Sequence, residues 1–296
     1  MELTDLVTFS TVARAGGITR AAEELNTVQS NVTQRIKGLE AEIGTALFER
    51  HSRGMTLTGA GRRLLPYAQR MAALSREAIN AARDDGEPRG PLAIGSMETT
   101  AAVRLPSLLA AFHRRFPAVR LSLKTATTAD LVSAVLEGLL DGAFVAGPID
   151  HAELACVTAF TEELVLVTAR RWDSLAMLRA GTAESGPTAL VFRTGCTYRQ
   201  RLEQVFSELG WPSAARFELG TLDGMIGCVA ADMGVTLLPR AVAERSELSG
   251  SIRIHALDPS LSRADTLFIR RRNAHPSSVL LSFASHLTAE GQVVAA

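Results

Sequence analysis

The chain has 296 residues, which is too long for one ordinary domain and suits about two. Hydrophobic residues make up 47% of it and charged residues 21%, a balance that excludes an intrinsically disordered protein. The formal net charge is zero, so any surface that binds nucleic acid must be a local basic patch.

Cysteine usage and the start of the chain bear on the compartment. The cysteines Cys156, Cys196 and Cys228 are widely spaced, so they form neither a disulfide framework nor a metal-ligand pair. The opening residues lack the basic region and apolar core of a signal peptide, and no apolar run is long enough to span a membrane. We therefore expect a cytoplasmic protein with no metal and no membrane contact.

The first forty residues predict three short helices. Apolar residues between positions 6 and 13 recur at helical spacing, and Gly16-Gly17 ends that helix. A second helix is expected from about Thr19, with three apolar residues buried: Ala21, Ala22 and Leu25. A turn at Asn26-Thr27 leads to the third.

The third helix has an apolar face and a polar face. Its expected buried residues are Val28, Val32, Ile36 and Leu39, and Thr27 is expected to cap it by accepting a backbone N–H bond. The opposite face carries hydroxyls, an amide and one lysine: Ser30, Thr33, Gln34 and Lys37. Such groups bond base edges in the major groove, although a solvated surface helix is the alternative. Two short helices and a tight turn before it favour a DNA-reading helix.

Residues 44–58 favour two short strands joined by a turn at Arg53-Gly54. This hairpin would form a wing beside the reading helix and bring Arg50 and Arg53 to phosphates or the minor groove. An ordinary surface hairpin with two solvated arginines is the alternative.

Many linked positions in this segment give it a family resemblance. They are Phe9, Ala21-Ala22, Leu25, Gln29-Ser30, Val32-Thr33, Ile36, Leu39-Glu40, Gly44, Leu47-Phe48-Glu49-Arg50, Leu57-Thr58 and Gly61. Their spacing resembles the DNA-binding domain of LysR-type transcriptional regulators. The resemblance implies that Gln29, Ser30, Thr33 and Gln34 face the major groove, and Arg35 in the same stretch is an expected phosphate contact. One departure is Thr27-Val28, where the family often has an aliphatic residue and then Ser, so the first turn of the reading helix is left open.

From Thr58 to about Arg83 the pattern predicts one long helix, bent at Pro66. Its apolar stripe resembles a coiled-coil seam and consists of Leu64, Ala68, Met71, Ala72, Ser75, Ile79 and Ala82. The stripe needs a partner, either the chain's own domain or the same helix of a second subunit. The LysR resemblance implies the second, a homodimer through this linker helix. A homotetramer is the expected assembly, although the residues do not separate it from a dimer.

From about residue 90, strands and helices alternate, which predicts an α/β domain with a mostly parallel sheet. Strands are expected at 92–95, 119–124, 143–146, 164–168, 188–192, 216–219 and 267–270. Single helices are expected at about 101–116, 198–209, 222–233 and 277–289, and a further helix after Thr127-Thr128 is expected to carry Leu131, Val132, Val135, Leu136 and Leu139. Two such units with a late return strand resemble a periplasmic-binding-protein-like effector domain. Residues 139–144 and 233–239 match common LysR-family stretches.

The expected organisation has three parts. They are a winged helix-turn-helix domain at 1–58, a linker helix and hinge for dimerisation at 59–89, and an effector-binding domain at 90–296. Lobe I of the effector domain is expected at about 90–163 and 268–296, and lobe II at about 164–267.

Ligands in such sheets bind beyond the carboxyl ends of strands, close to helix N-termini. Three loops rich in hydroxyls converge there, with Thr221 as a fourth wall. The expected effector contacts are Ser96, Met97, Glu98, Thr99, Thr100, Thr127, Thr128, Arg193, Thr194, Gly195, Cys196 and Thr221. Helix capping is the alternative for any single Ser or Thr. Loop N–H groups and Arg193 favour an anion such as a carboxylate, whereas Glu98 would suit an amine or an amino acid, so the effector's charge is open.

Two other protein classes compete with a regulator. An acyl-transfer enzyme would use Cys196, at a predicted helix start, but the six histidines are scattered and none lies in a nucleophile or metal motif. A redox switch at Cys196 lacks a resolving cysteine nearby in sequence, and the DNA-binding head disfavours a plain solute-binding protein. The sequence therefore predicts a bacterial, sequence-specific DNA-binding transcriptional regulator, not an enzyme. A small polar metabolite bound between the two lobes is expected to control it, with no other cofactor.

Overall fold

The structure, a computed structural model, describes residues 1–51, 54–182, 186–193, 195, 197–211, 214–247, 250–273 and 276–291. The chain divides into two units, the first made of residues 1–85 with 137–139 and the second of 86–136 with 140–296. Each unit has its own hydrophobic core.

The first unit begins with the three predicted helices and the predicted hairpin. Its elements are α1 (Leu3–Ala15), α2 (Ile18–Glu24), α3 (Gln29–Ile43), β1 (Phe48–His51) and β2 (Gly54–Leu57), the two strands pairing antiparallel. The core they share is built on Leu6, Phe9, Val12, Ala21, Val32, Ile36, Leu39 and Leu47, all fully buried. Apart from Leu47, which follows the helices, these are positions that the helical spacing selects; Ala13 and Leu25, which it also selects, are half-buried, and there is one exception.

The exception is the start of α3, where the sequence expectation is wrong. The helix begins at Gln29 and its N-cap residue is Val28, which has an extended backbone, makes no side-chain cap and is 60% exposed. Thr27 lies one residue too early to cap the helix, and its hydroxyl oxygen instead accepts a hydrogen bond from Asn31 Nδ2 at 3.1 Å.

The hairpin is fastened to the helices at both of its ends. Glu40 Oε1 accepts hydrogen bonds from the N–H groups of Leu47 (2.7 Å) and Phe48 (3.2 Å). At the other end, Met55 N donates to Gly16 O at 3.0 Å. A Cβ on Gly54 would lie 2.6 Å from that same oxygen, and its φ of +132° is rarely adopted by other residues, so this contact requires glycine.

The linker helix α4 (Gly59–Arg83) is continuous through Pro66, and the Thr58 hydroxyl caps it by accepting from Gly61 N at 3.0 Å. The expected stripe is wrong in its first half, because Leu64 and Ala68 pack into the core of the head. The large apolar side chains that α4 leaves exposed are Tyr67, Met71, Leu74 and Ile79. We call these four residues the α4 stripe.

The second unit contains the remaining elements. Its strands are β3 (Gly90–Ser96), β4 (Val119–Thr125), β5 (Gly142–Ala146), β6 (Leu154–Ala169), β7 (Ala189–Phe192), β8 (Arg216–Leu219), β9 (Thr236–Pro239), β10 (Ile252–Ala256) and β11 (Arg263–Arg271). Its helices are α5 (Glu98–Val103), α6 (Leu105–Arg115), α7 (Thr128–Leu136), α8 (Leu175–Gly181), α9 (Thr197–Glu208), α10 (Leu222–Ala230), α11 (Arg240–Glu247), α12 (Pro259–Ser262) and α13 (Ser278–Gly291). The single helix expected at 101–116 is therefore two helices that meet at Arg104.

The main sheet has seven strands in the order β10-β6-β11-β5-β3-β4, with β9 also paired to β6. Within it only the β3–β4 and β3–β5 pairs are parallel, whereas β11 runs antiparallel to β5 and β6, and β9 and β10 run antiparallel to β6. The expectation of a mostly parallel sheet is wrong, because β6 and β11 run against their neighbours. A separate parallel pair joins β7 and β8.

Strand β6 passes through both lobes of the effector domain. Its residues 154–163 pair with β11, and residues 164–169 pair with β9 and β10. We call lobe I the part built on β3, β4, β5, β11 and the first half of β6, and lobe II the part built on β7 to β10 and the second half of β6.

Candidate DNA interface and effector pocket

The polar face expected on α3 lies on the outside of the head. Val32, Ile36 and Leu39 occupy the buried side of the helix. Gln29, Ser30, Gln34 and Lys37 are exposed and Thr33 is half-buried. Val28, the N-cap residue, provides no side-chain acceptor for the first N–H groups of α3, and N–H groups at a helix start suit a phosphate.

The arginines expected at the DNA stand in different situations. Arg35 Nη1 forms an ion pair with Asp5 Oδ1 of α1 at 2.9 Å, so its guanidinium is held against the head's own surface. Arg50 lies on β1 opposite Met55. Arg53 falls outside the described residues.

The second unit contains a cavity of about 270 Å³ between lobe I and lobe II. Six of the expected effector residues line it: Met97, Glu98, Thr99, Thr127, Thr128 and Arg193. The sequence patterns miss its other walls, which are Thr125, Ala126, Asp130, Phe192, Tyr198, Leu219 and Gly220. The lining thus combines two aromatic residues of lobe II with hydroxyl-bearing residues of lobe I.

Four expected contacts lie beside the cavity without lining it, namely Ser96, Thr100, Gly195 and Thr221. The Ser96 hydroxyl is fully buried and donates to Met97 O at 2.9 Å. Thr221 caps α10 by accepting from Gly224 N at 3.2 Å. A Cβ on Gly195 would lie 3.0 Å from Thr127 Oγ1, so this glycine lets the two loops approach each other. Thr194 and Cys196 fall outside the described residues.

Most polar groups in the cavity already have protein partners. Thr128 Oγ1 accepts from Ala146 N at 3.3 Å, and Asp130 Oδ2 accepts from Thr127 Oγ1 at 2.8 Å. Thr99 differs: it is 4% exposed, and its hydroxyl has no hydrogen-bond partner within the described part of the chain. A buried hydroxyl without a partner is costly and is a rare feature of folded proteins.

Two ion pairs lie where β6 passes between the lobes, one within lobe I and one that joins lobe I to lobe II. Arg104 binds Glu162 through two hydrogen bonds of 2.9 Å, and Glu162 is 5% exposed. The next residue, Glu163, accepts two hydrogen bonds of 2.7 Å from Arg240 of lobe II. These bonds lower the pKa of Glu163 and raise the pKa values of Arg104 and Arg240, because each stabilises the charged form.

The described residues bear on cysteine and metal chemistry at the following points. Burial raises the pKa of the Cys156 thiol, which disfavours the reactive thiolate, although the nearby charge of Arg272 opposes this. Among the residues that the structure describes, no three His, Cys, Asp or Glu side chains gather as metal ligands. Nor does any helix in that part of the chain have the length and apolarity to cross a membrane.

Two family models match the chain. The bacterial regulatory helix-turn-helix protein model of the lysR family matches residues 3–62, and the LysR substrate binding domain model matches residues 85–292. The chain belongs to the LysR family. It is therefore a DNA-binding transcriptional regulator with a substrate-binding domain.

Similar LysR regulators match over nearly the whole chain. The HTH-type regulator YusT of Bacillus subtilis, named as uncharacterized, is 46% identical over 97% of this chain and 96% of its own length. The regulator GltR of the same organism is 41% identical over 99% and 98%. These relatives are named as regulators and not as enzymes.

Solved LysR structures have the same fold. The regulator CbnR aligns with a TM-score of 0.70 over 98% of this chain and 99% of its own, at 24% identity. A structure of full-length CbnR with its target DNA aligns with a TM-score of 0.69 over 98% and 99%, at 25% identity. The two-part fold expected from the sequence, a helix-turn-helix head and a LysR effector domain, is confirmed.

Proposed function

We propose that this LysR regulator reads promoter DNA with the exposed face of α3 and changes its DNA affinity when a small polar metabolite fills the cavity between the lobes. The proposed reading residues are Gln29, Ser30, Thr33 and Gln34, with Lys37, Arg35, Arg50 and Arg53 as phosphate contacts. CbnR, which has the same fold, binds its target DNA. Action on promoters implies a cytoplasmic site, where bacterial DNA is found.

The observation that carries the effector proposal is the Thr99 hydroxyl. It is buried at the wall of a cavity that both lobes line, and it has no partner among the described residues. A bound metabolite would supply the missing hydrogen bond, and the neighbouring hydroxyls and aromatic rings suit a small polar ligand. A ligand that contacts both lobes can favour one lobe arrangement over another, which is how binding would reach the DNA head.

The test is to fill the cavity. Ala126 lines it, and Ala126→Trp would place an indole in a space of about 270 Å³. A matched control is Ala118→Trp, on the exposed loop before β4. Metabolites are first screened by thermal shift against the full-length protein, and binders are then tested for their effect on the binding of promoter DNA.

We expect a metabolite that stabilises the wild type and Ala118→Trp and changes their DNA affinity, but that has no effect on Ala126→Trp. A metabolite that acts equally on all three proteins would show that the effector binds elsewhere, and would return the lining hydroxyls to the role of helix caps.

We also propose that the protein is a homodimer through α4, the building block of a homotetramer. The α4 stripe supports this, because four large apolar side chains on one stretch of helix are otherwise left in water.

A further inference from the structure

The side-chain carboxylate of Glu98, a residue of lobe I that lines the cavity, lies at the N-terminal end of α10 in lobe II. Its Oε1 accepts a hydrogen bond of 2.8 Å from the backbone N–H of Leu222, the first residue of α10. Glu98 belongs to lobe I and α10 to lobe II, so this bond bridges the two lobes. The N-terminal end of a helix carries a partial positive charge that favours an anion.

A guanidinium lies next to this position. Arg193 lines the cavity, and its Nη2 would be 3.1 Å from a Cβ placed on Gly220, two residues before Leu222. Although Arg193 and Glu98 adjoin the same turn, no ion pair within 4.0 Å joins Arg193 to a carboxylate of the described residues. The other acid of the cavity, Asp130, is held by Thr127.

Thr99, the residue after Glu98, has a buried hydroxyl with no partner in the described part of the chain. The Glu98 carboxylate therefore occupies a helix start, while the spare Thr99 hydroxyl is on the next residue and the Arg193 guanidinium lies beside Gly220, just before that helix. Guanidinium groups bind carboxylates through paired, charge-assisted hydrogen bonds.

We propose that the effector is a small carboxylate whose charged group replaces Glu98 at the start of α10 and pairs with Arg193. The inference rests on the proposed function, because it assigns a ligand class to the same cavity. In the absence of effector, the Glu98 carboxylate occupies the position that the effector's carboxylate takes when it binds. Binding then breaks the hydrogen bond between Glu98 and Leu222 and forms bonds from the effector to α10 and Arg193.

Chemical rescue tests the anion position without the natural effector. Glu98→Ala removes one methylene and one carboxylate, which together correspond to acetate. The thermal midpoint of the full-length variant is measured with sodium acetate, with acetamide and with sodium chloride, at constant ionic strength. Glu163→Ala is the matched control, since it also removes a hydrogen-bonded glutamate, in this case one that binds the Arg240 guanidinium and does not line the cavity.

We expect acetate to raise the midpoint of Glu98→Ala above its value in chloride, whereas acetamide does not, and to leave the wild type and Glu163→Ala unchanged. Adding Arg193→Gln to Glu98→Ala should weaken acetate binding by about tenfold or more, as expected for the loss of a charge-assisted hydrogen bond. Equal effects of acetate, acetamide and chloride on Glu98→Ala, or equal rescue of Glu163→Ala, would overturn the inference.

If Glu98→Ala does not fold, the same titration is made on Glu98→Gln, in which acetate competes with a neutral amide of the same size. Stabilisation by acetate beyond chloride supports the inference, and its absence overturns it. If the effector proves to be a neutral or cationic metabolite that Ala126→Trp no longer binds, the cavity is still the effector site and only the proposal of a carboxylate ligand is wrong. If instead a carboxylate effector still binds Ala126→Trp, the proposal that the effector binds in the cavity is wrong.

Discussion

At the scale of single residues, different side chains on the exposed face of α3 are expected to contact bases and phosphates. Gln29 is exposed on the first turn, and an amide of this kind can bond adenine through two hydrogen bonds. Gln29→Ala should reduce discrimination between the promoter site and a mutated site by about 1–3 kcal/mol. The measurement is a pair of DNA dissociation constants at fixed salt.

Lys37→Ala is the comparison variant, because a lysine at this exposed position would bind phosphates whatever the sequence. It should weaken binding to both sites alike. If Gln29→Ala also weakened both sites alike, Gln29 would not be a reading residue.

A buried histidine gives lobe II a dependence on pH. His255 on β10 is 7% exposed, and its Nε2 lies 2.9 Å from Thr168 Oγ1. Burial lowers the pKa of His255, the charge of Arg253 lowers it further, and Glu247 and Asp173 oppose these effects. The folded protein therefore disfavours the charged imidazole.

The sign of the pH effect follows from this shift. Because the folded pKa lies below the unfolded value of about 6.5, protons favour the unfolded state. The contribution of His255 to stability is complete above about pH 6.5 and is lost as the pH falls through the folded pKa. When the pH is lowered from above 6.5 to below the folded pKa of His255, the thermal midpoint should fall more for the wild type than for His255→Asn. The exposed His113→Asn variant should behave as the wild type does.

At the scale of elements, the sequence predicts best where one face is buried and the other is wet. The period of α3 identifies Val32, Ile36 and Leu39 correctly, because burial alternates with exposure along the helix. It fails at Val28, because the identity of the N-cap residue depends on where the backbone turns and not on apolar spacing. The first half of β6 is not predicted either, because several of its residues are exposed and no apolar face marks it as a strand. The middle of the whole strand also carries two charged residues, Glu162 and Glu163.

The α4 stripe supports a prediction about assembly. With 100° per residue, Tyr67, Met71 and Leu74 fall within about 60° of one another on α4, and Ile79 lies about 80° beyond Met71. Met71→Glu with Ile79→Glu would bury like charges at a dimer seam and should yield monomers. Sedimentation velocity measures this directly.

The matched control adds the same charge to the opposite face of α4. Gln69 and Asn80 lie there, so Gln69→Glu with Asn80→Glu should leave the assembly intact. Monomers in both double variants would indicate a general effect of charge, and an unchanged assembly in the first would exclude the stripe as the seam.

At the scale of the whole molecule, the sequence predicts the two parts and about half of the pocket. Loops with hydroxyls at helix starts are visible as local patterns, and Met97 to Thr99, Thr127, Thr128 and Arg193 are found in this way. Tyr198, Leu219 and Gly220 are not, because an apolar residue on a helix or strand has the same pattern whether it faces the core or a cavity. Only the folding of lobe II against lobe I brings them to the site.

The last prediction concerns coupling between the effector cavity and the DNA head. If a ligand in the cavity changes the affinity for promoter DNA by some factor, DNA must change the affinity for that ligand by the same factor. Factors of about 5–150 are typical of such coupling. The two measurements are DNA titrations with and without saturating ligand, and ligand titrations with and without saturating promoter DNA.

Variants separate the coupling from binding itself. Thr99→Val removes the spare hydroxyl and should lower the affinity for the ligand. It should leave the DNA affinity of the ligand-free protein unchanged, since that hydroxyl has no partner in the described part of the chain. Glu98→Gln weakens a bond between the lobes and should change the coupling factor itself. Two unequal factors in the wild type would mean that the ligand also binds at a second place. A Thr99→Val protein whose ligand affinity matched the wild type would show that this hydroxyl does not contact the ligand.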